Sequence, residues 1–243
     1  MTLPKFITFT GADDATDVDG MLELSSRYPI EWGILLSPKR HGTPRYPSLD
    51  KVRAFAYSMC GQKRFPYRMS AHFCGDYSRA LLDPNRSMTV APSLSDRQIN
   101  DPIGDLLLTA QRAQVNTSDP IGIEAASRLY AWGRSWAGRI ILQSRRADCF
   151  PAWTEIDWLY DCSGGNGISA YEWPEEPTDR LVGYAGGIGP HNISQVLETA
   201  GYRATNYWLD MESGVRTDDR FDLEKCRQVC EAVYGNGQVS QAA

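Results

Sequence analysis

The chain has 243 residues, 42% of them apolar and 23% charged, which suits a globular protein and excludes a disordered or collagen-like one. Thirty acidic against 25 basic residues give a formal net charge of −5, the wrong sign for a general nucleic-acid binder. No apolar run approaches the ~18 residues of a membrane span, and the opening MTLPKFITFTG lacks the basic and apolar regions of a secretion signal, so a cytoplasmic protein is expected. The six cysteines (Cys60, Cys74, Cys149, Cys162, Cys226 and Cys230) are irregularly spaced and accompanied by only three histidines. Reduced thiols without a structural zinc site are therefore expected.

Short segments rich in Ile, Leu, Val and aromatic residues recur at 6–10, 31–36, 68–73, 113–116, 139–143, 157–160, 181–185 and 207–211. They show little polar alternation and read as strands covered on both faces. Helical stretches follow most of them. The first, 13–27, opens on acidic residues, as a helix N-terminus favours. Ser48 is placed to cap 49–60, and 76–82 is short. Asp119-Pro120 opens 121–136, where Trp132 and Trp136 stand at helical spacing and read as packing residues. Pro190 opens 191–200 and Gly201 closes it, and 222–234 ends at Gly235. The Pro-, Ser- and Asn-rich stretch 83–101 reads as an excursion, and the region near 147–154 leaves room only for a stunted helix.

Eight strands alternating with helices predict parallel βαβ units. An open doubly wound sheet would carry a glycine fingerprint after its first strand, but Thr10-Gly11-Ala12-Asp13 has no GxGxxG. A single (β/α)8 barrel over residues 1–234, with a frayed tail at 235–243, is the architecture expected.

Active sites of such barrels lie at the C-terminal ends of the strands. After the second strand comes a loop with His41 and three cations, Lys39, Arg40 and Arg45, the last held between Pro44 and Tyr46 and suited to a carboxylate or phosphate. After the sixth, seventh and eighth come Asp161-Cys162-Ser163-Gly164-Gly165-Asn166-Gly167, Gly186-Gly187-Ile188-Gly189-Pro190 and Glu212-Ser213-Gly214-Val215. Glycine lets backbone N–H groups approach an anion closely, and Asp161 and Asp210 add carboxylates to the same rim.

These stretches resemble phosphoribosylanthranilate isomerase. Thr10-Gly11-Ala12-Asp13-Asp14-Ala15 is similar to the family's turn into its first helix, and Ser37-Pro38-Lys39 with Pro44-Arg45-Tyr46 and Ser48 to its P-K-S-P-R-Y-V-S loop, with an insertion of about three residues. Asp161 with Gly164 to Gly167 and Tyr171-Glu172-Trp173 resembles D…G-G-T-G…F-D-W. Ala185 to Asn192 and Asp210 to Val215 resemble A-G-G-L-N-P-E-N and D-V-S-S-G-V. The resemblance runs from residue 5 to about 233, and 85–146 contributes little to it.

The resemblance implies an Amadori-type aldose–ketose isomerisation of a phosphorylated sugar adduct, as in tryptophan biosynthesis, with no metal or cofactor. It makes Asp161 the general acid and Asp210 a member of the catalytic rim. Arg45 would face the non-sugar moiety, joined by His72, Gly164 and Gly165, and Gly186, Gly187, Ser213 and Gly214 would cradle phosphate. The family's base, the cysteine of K-I-C-G-L-T, aligns with Ile7, or with Thr8 after a one-residue shift, and neither is an ordinary base. Cys74, in His72-Phe73-Cys74-Gly75-Asp76 against the family's Q-L-H-G-D/E, is the candidate substitute if a nearby cation lowers its pKa; a packed thiol is the plainer expectation. The alternatives are a sugar-phosphate-binding barrel with different chemistry or none, and a structural barrel. The expected partner is a phosphorylated small molecule, with no nucleic acid or membrane, bound by a monomer or homodimer.

Overall fold

The computed structural model describes residues 2–60, 68–85, 101–117, 121–136, 138–146, 148–161 and 172–235. In chain order the elements are β1 (Ile7–Thr10), α1 (Val18–Arg27), β2 (Ile30–Leu36), α2 (Leu49–Cys60), β3 (Arg68–Phe73), α3 (Asp76–Leu82), α4 (Pro102–Thr109) and β4 (Arg112–Val115). There follow α5 (Ile123–Ser135), β5 (Arg139–Ser144), β6 (Asp157–Asp161), β7 (Val182–Ala185), α6 (Ile193–Ala200) and β8 (Tyr207–Met211). A single 3₁₀ turn (Ser213–Val215), a small hairpin of β9 (Arg216–Thr217) and β10 (Arg220–Phe221), and α7 (Leu223–Tyr234) complete the described chain. β1 to β8 form a closed barrel in sequence order, every pair parallel, sealed where Ile7 lies opposite Leu209. This is the (β/α)8 barrel the strand rhythm predicts. Among the described residues no helix is long and apolar enough to cross a membrane.

The strands do alternate, contrary to the expectation of two apolar faces. Outward positions, among them Ile7, Phe9, Trp32, Ile34, Met69, Phe73, Val115, Leu142, Tyr184 and Leu209, join the large core beneath the helices. Inward positions hold a small apolar cluster of Phe6, Ile141, Leu159, Ala185 and Trp208, with Leu35 lining the cavity above it. The rest of the interior is polar yet buried: Thr8, Thr10, Glu31, Ser70, His72, Arg112, Gln114, Asp157 and Asp210.

These polar groups survive burial because they are partnered. Arg112 donates from Nε to Glu31 Oε2 at 2.9 Å, from Nη2 to Glu31 Oε1 at 2.5 Å and from Nη1 to Asp157 Oδ2 at 3.4 Å. Thr8 donates its hydroxyl to Glu31 Oε1 at 2.9 Å, and Arg139 Nε donates to Asp157 Oδ1 at 2.8 Å. The Arg112 guanidinium lies 4.1 Å from the Trp208 ring centroid and 4.8 Å from that of Phe6. Burial pushes the Glu31 carboxyl up, but the charge and hydrogen bonds of Arg112 outweigh it and hold it below its ordinary value. Gly33 makes the upper layer possible: a Cβ there would collide with the Thr10 hydroxyl and come within 2.9 Å of the His72 ring.

The starts of α1, α4 and α7 follow aspartate side-chain caps rather than acidic runs. Asp17 accepts from the N–H groups of Asp19 and Gly20, so α1 begins at Val18 and not at 13. α6 begins at Ile193 with Asn192 as N-cap, two residues after the expected start. α5 begins at Ile123 after Gly122, and the expected Asp119-Pro120 opening lies outside the described residues. An Asp-Pro opening instead starts α4, where Asp101 accepts from Ile103 N–H. That helix was not expected, because it follows the Pro-, Ser- and Asn-rich stretch. On α5, Trp132 is buried and meets both Phe73 and Trp136 edge-on. Among the described residues Cys60, Cys74, Cys149, Cys226 and Cys230 are free thiols; Cys162 and residues 236–243 of the expected tail lie outside them.

Arg112→Met would leave Glu31 buried without its cation. We expect a loss of ~3–5 kcal/mol in urea unfolding, part of it recovered by adding Glu31→Gln. Unchanged stability in the single variant would contradict this account of the barrel interior.

Candidate active site at the barrel mouth

A cavity of about 420 Å³ opens at the C-terminal end of the strands, and all eight strands or the loops after them line it. The cavity gathers every described residue that sequence reasoning nominated: Arg45, His72, Cys74, Asp161, Gly186, Gly187, Asp210, Ser213 and Gly214. Gly164 and Gly165 lie outside the described residues.

The strand register sets the carboxyl groups. Asp161 of β6 pairs with Ala185 of β7, and Ala185 pairs with Asp210 of β8. At ~4.8 Å between neighbouring strands, the two aspartates stand roughly 10 Å apart at one level, with only a methyl between them. Asp161 accepts from Gln143 Nε2 at 3.3 Å. Asp210 accepts from the Thr10 hydroxyl at 2.9 Å. Burial drives the Asp210 carboxyl up to about 8; the Thr10 hydrogen bond opposes that, and the charges of Glu31 and Glu212 reinforce it. Asp210 therefore holds its proton at neutral pH.

His72 sits beneath this layer, its Nε2 2.8 Å from Ser70 Oγ. Burial lowers it to about 4, so it is a neutral ring. Cys74 was expected to serve as a base only if a cation lowered its pKa. Burial instead raises it, outweighing the Asn116 hydrogen bond, and the group is a protonated thiol. Asn116 Nδ2 donates to its Sγ at 3.1 Å, and Gln114 Nε2 donates to Asn116 Oδ1 at 2.7 Å.

Neither expected counterpart of the strand-one base reaches the cavity. Ile7 points outward into the main core, and Thr8 is tied to Glu31 below. The residue of β1 that lines the cavity is Thr10. The alternation of β1 carried this signal, since Thr8 and Thr10 share a face and Thr10 is nearer the strand's C-terminal end. Glu212, Gln114 and Gln143 also line the cavity and were not nominated.

The loops after β7 and β8 pack backbone against backbone. A Cβ on Gly214 would overlap the Ile188 carbonyl, and one on Gly189 would come within 3.0 Å of Gly214 Cα. Gly186 and Gly187 take φ of 117° and 60°, where glycine alone is at ease.

Arg45 is also left-handed, at φ 74°, which is uncommon for any residue but glycine. The turn is fixed by Tyr46 N–H on the Thr43 carbonyl at 3.0 Å and Gly42 N–H on the Tyr46 carbonyl at 2.9 Å. The side chain is held at both ends. Its Nη1 donates to Glu212 Oε1 at 2.9 Å and its Nε to Asp219 Oδ1 at 3.3 Å. Arg216 in turn donates to the Asp219 carbonyl, to Asp13 Oδ2 at 2.9 Å and to the Gly11 carbonyl at 2.7 Å. Alternating acids and guanidiniums thus run from the cavity to the loop after β1. Burial raises the Glu212 carboxyl above its ordinary value despite the opposing charge of Arg45.

Among the described residues no cluster of His, Cys, Asp and Glu has the makings of a metal site. Asp210→Asn keeps the acceptor for Thr10 and removes a group whose folded pKa is far above its unfolded one. The wild type therefore loses stability as pH rises from about 4 to about 8, and the variant does not. We expect the variant to melt higher than wild type at pH 8, by roughly 2–4 °C or more, with the gain gone at pH 4. Thermal melts at the two pH values check this, and a gain equal at both would refute it.

No protein-family model matches the sequence, and no curated protein matches it. Among solved structures the barrel is similar to N-(5'-phosphoribosyl)anthranilate isomerase from Pyrococcus furiosus, at 13% identity and a TM-score of 0.52 over 94% of this chain and 98% of that one. The phosphoribosyl anthranilate isomerase from Thermococcus kodakaraensis is 15% identical with a TM-score of 0.49, covering 96% of this chain and 100% of that one. At such identity the Pyrococcus match is a likeness of fold, and on that ground the chain is a (β/α)8 barrel of the architecture seen in phosphoribosylanthranilate isomerase.

Proposed function

We propose that the cavity binds a phosphorylated sugar adduct and carries out an Amadori-type isomerisation by acid–base catalysis. The observation that carries this reading is the placement of Asp161 and Asp210 on one wall, separated by Ala185, in different surroundings. Such a reaction needs one group to protonate the departing ring oxygen and another to take the proton from C2. Asp161 is assigned the first step. Asp210, with a pKa near the working range, is assigned the second in its ionised form. Protonation of the ring oxygen breaks the C1–O bond and leaves a C1=N iminium; the C2 proton then passes to the Asp210 carboxylate, its electron pair forms C1=C2 and the C=N π pair returns to nitrogen, giving an enolamine that tautomerises to the aminoketose. The glycine loops after β7 and β8, together with Ser213, supply the phosphate end, in keeping with the usual phosphate site of this fold.

A second reading, sugar-phosphate binding without this chemistry, is favoured by Thr10 at the mouth end of β1 and by the protonated state of Cys74. Turnover of a panel of N-(5-phosphoribosyl)arylamines separates the two. Under the first reading Asp161→Asn and Asp210→Asn each lower kcat/KM by ~10²–10⁴-fold. The wild-type kcat/KM rises with pH through about 8, because the base must lose its proton, and that limb is absent in Asp210→Asn. If wild type and Asp161→Asn are equally inert while ribose 5-phosphate still binds by calorimetry, the isomerase reading is wrong and the binding reading stands.

A further inference from the structure

β1 meets the cavity with a hydroxyl. Thr10 lines it, is almost wholly buried, and donates Oγ1 to Asp210 Oδ1 at 2.9 Å. The backbone that carries this side chain is pinned. Thr10 lies opposite Gly33 of β2 in the strand register. The next residue, Gly11, gives its N–H to the Gly33 carbonyl at 3.1 Å and accepts Arg216 Nη1 on its own carbonyl at 2.7 Å. The side chain is confined as well, because a β-branched residue has few χ1 choices. Its hydroxyl fills the space that Gly33 leaves empty, where a Cβ would collide with it and come within 2.9 Å of the His72 ring.

The two oxygens of Asp210 are therefore in unlike positions. Oδ1 is held by Thr10, whereas Oδ2 accepts no hydrogen bond among the described residues, and the residue keeps 7% of its surface exposed at the cavity wall. The charged and titratable groups around it are engaged with other partners. Glu31 of β2 is clamped by Arg112 of β4, and Glu212 after β8 accepts from Arg45. Asp161 of β6 accepts from Gln143, and His72 of β3 is a neutral ring beside Ser70. Among the described residues Thr10 is thus the one side chain that hydrogen-bonds to the Asp210 carboxyl. An aspartate carboxyl turns readily about χ2, and a donor fixed on one oxygen sets the plane of the other.

We infer that Thr10 is a positioning residue: its hydroxyl holds Oδ1 and so presents Oδ2 to the cavity as the oxygen of Asp210 that takes and gives the proton. Thr10 acts through Asp210 and not on the ligand. The inference rests on the isomerase reading for the use of that proton, and on geometry alone for the link between the two side chains.

Two substitutions separate the hydroxyl from the shape. Thr10→Val keeps the branched side chain and removes the donor, while Thr10→Ser keeps the donor and removes the methyl. Two measurements on the full chain read them: pH profiles of kcat and KM with the N-(5-phosphoribosyl)arylamines, and infrared spectra in which the Asp210 carboxyl is the band that Asp210→Asn removes. Without its donor the ionised carboxyl is less favoured. In Thr10→Val the limb near pH 8 is expected to move up by about one pH unit, lowering kcat/KM at neutral pH about tenfold through kcat, with KM little changed. The infrared band is expected to move to higher frequency and to titrate at higher pH. Thr10→Ser is expected to stay within about threefold of wild type, with limb and band in place. Thr10→Ala serves if the valine variant does not fold. A serine variant as impaired as the valine one, or a loss that falls on KM, overturns the inference. Turnover with limb and band unmoved in Thr10→Val overturns it and leaves the isomerase reading standing. If the wild type is inert, the band decides: shifted in Thr10→Val and restored in Thr10→Ser, it upholds the inference while the isomerase reading falls; unmoved, it overturns both.

Discussion

The buried Arg112 guanidinium is the interaction on which the barrel interior depends. Most barrels of this kind fill their centre with branched apolar side chains. Here the lower centre is a cation clamped by Glu31 and Asp157 and laid over Trp208 and Phe6. The arrangement is costly to desolvate and tolerable only because nearly every donor finds an acceptor. It also sets the electrical environment of the layer above. Arg112 favours the neutral ring of His72 and opposes the rise in Asp210, while Glu31 does the reverse in both cases. The proton-holding behaviour at the mouth is thus partly decided by an ion pair outside the cavity lining.

The upper half is organised differently. There the polar groups bond to one another in pairs and short chains around a shared space. Asp161 and Asp210 flank a small residue, Thr10 stands across the β1–β8 seam, and the two glycine loops are pressed together by the absence of side chains at Gly189 and Gly214. Arg45 is ion-paired to Glu212, which also lines the cavity, and to Asp219. A site with one strongly shifted carboxyl, a neutral histidine and a neutralised arginine handles protons more readily than it gathers net charge.

Much of this was legible in the sequence, for identifiable reasons. The eight strands announce themselves because their outward faces are Ile, Leu, Val and aromatic residues, and β3 and β8 have the expected bounds. The rim residues follow from the rule that function sits where strands end. What sequence reasoning missed is what depends on partners distant along the chain. Polar letters such as Glu31, Arg112 and Asp157 look like solvent-facing interruptions until closure shows them meeting on the axis. Thr10 was passed over because an ungapped match drew attention to Ile7 and Thr8, although strand alternation already placed Thr10 at the mouth. Glu212 looked like one letter of a glycine loop, because nothing local shows that Arg45, 167 positions earlier, will claim it. The helix α4 carried a readable Asp101-Pro102 opening that the surrounding composition obscured.

The chain of acids and guanidiniums at the mouth also has a temporal meaning. Arg216 reaches the Gly11 carbonyl across 205 positions and Asp13 across 203. During synthesis the left-handed backbone at Arg45 emerges long before the residues that will grip its side chain. Contacts of such separation carry a large loop-closure cost and need both ends of the chain to be present. The entrance therefore cannot take its shape until both ends of the chain have been made, and a ribosome-bound first half would present its arginine without the counter-charges that hold it.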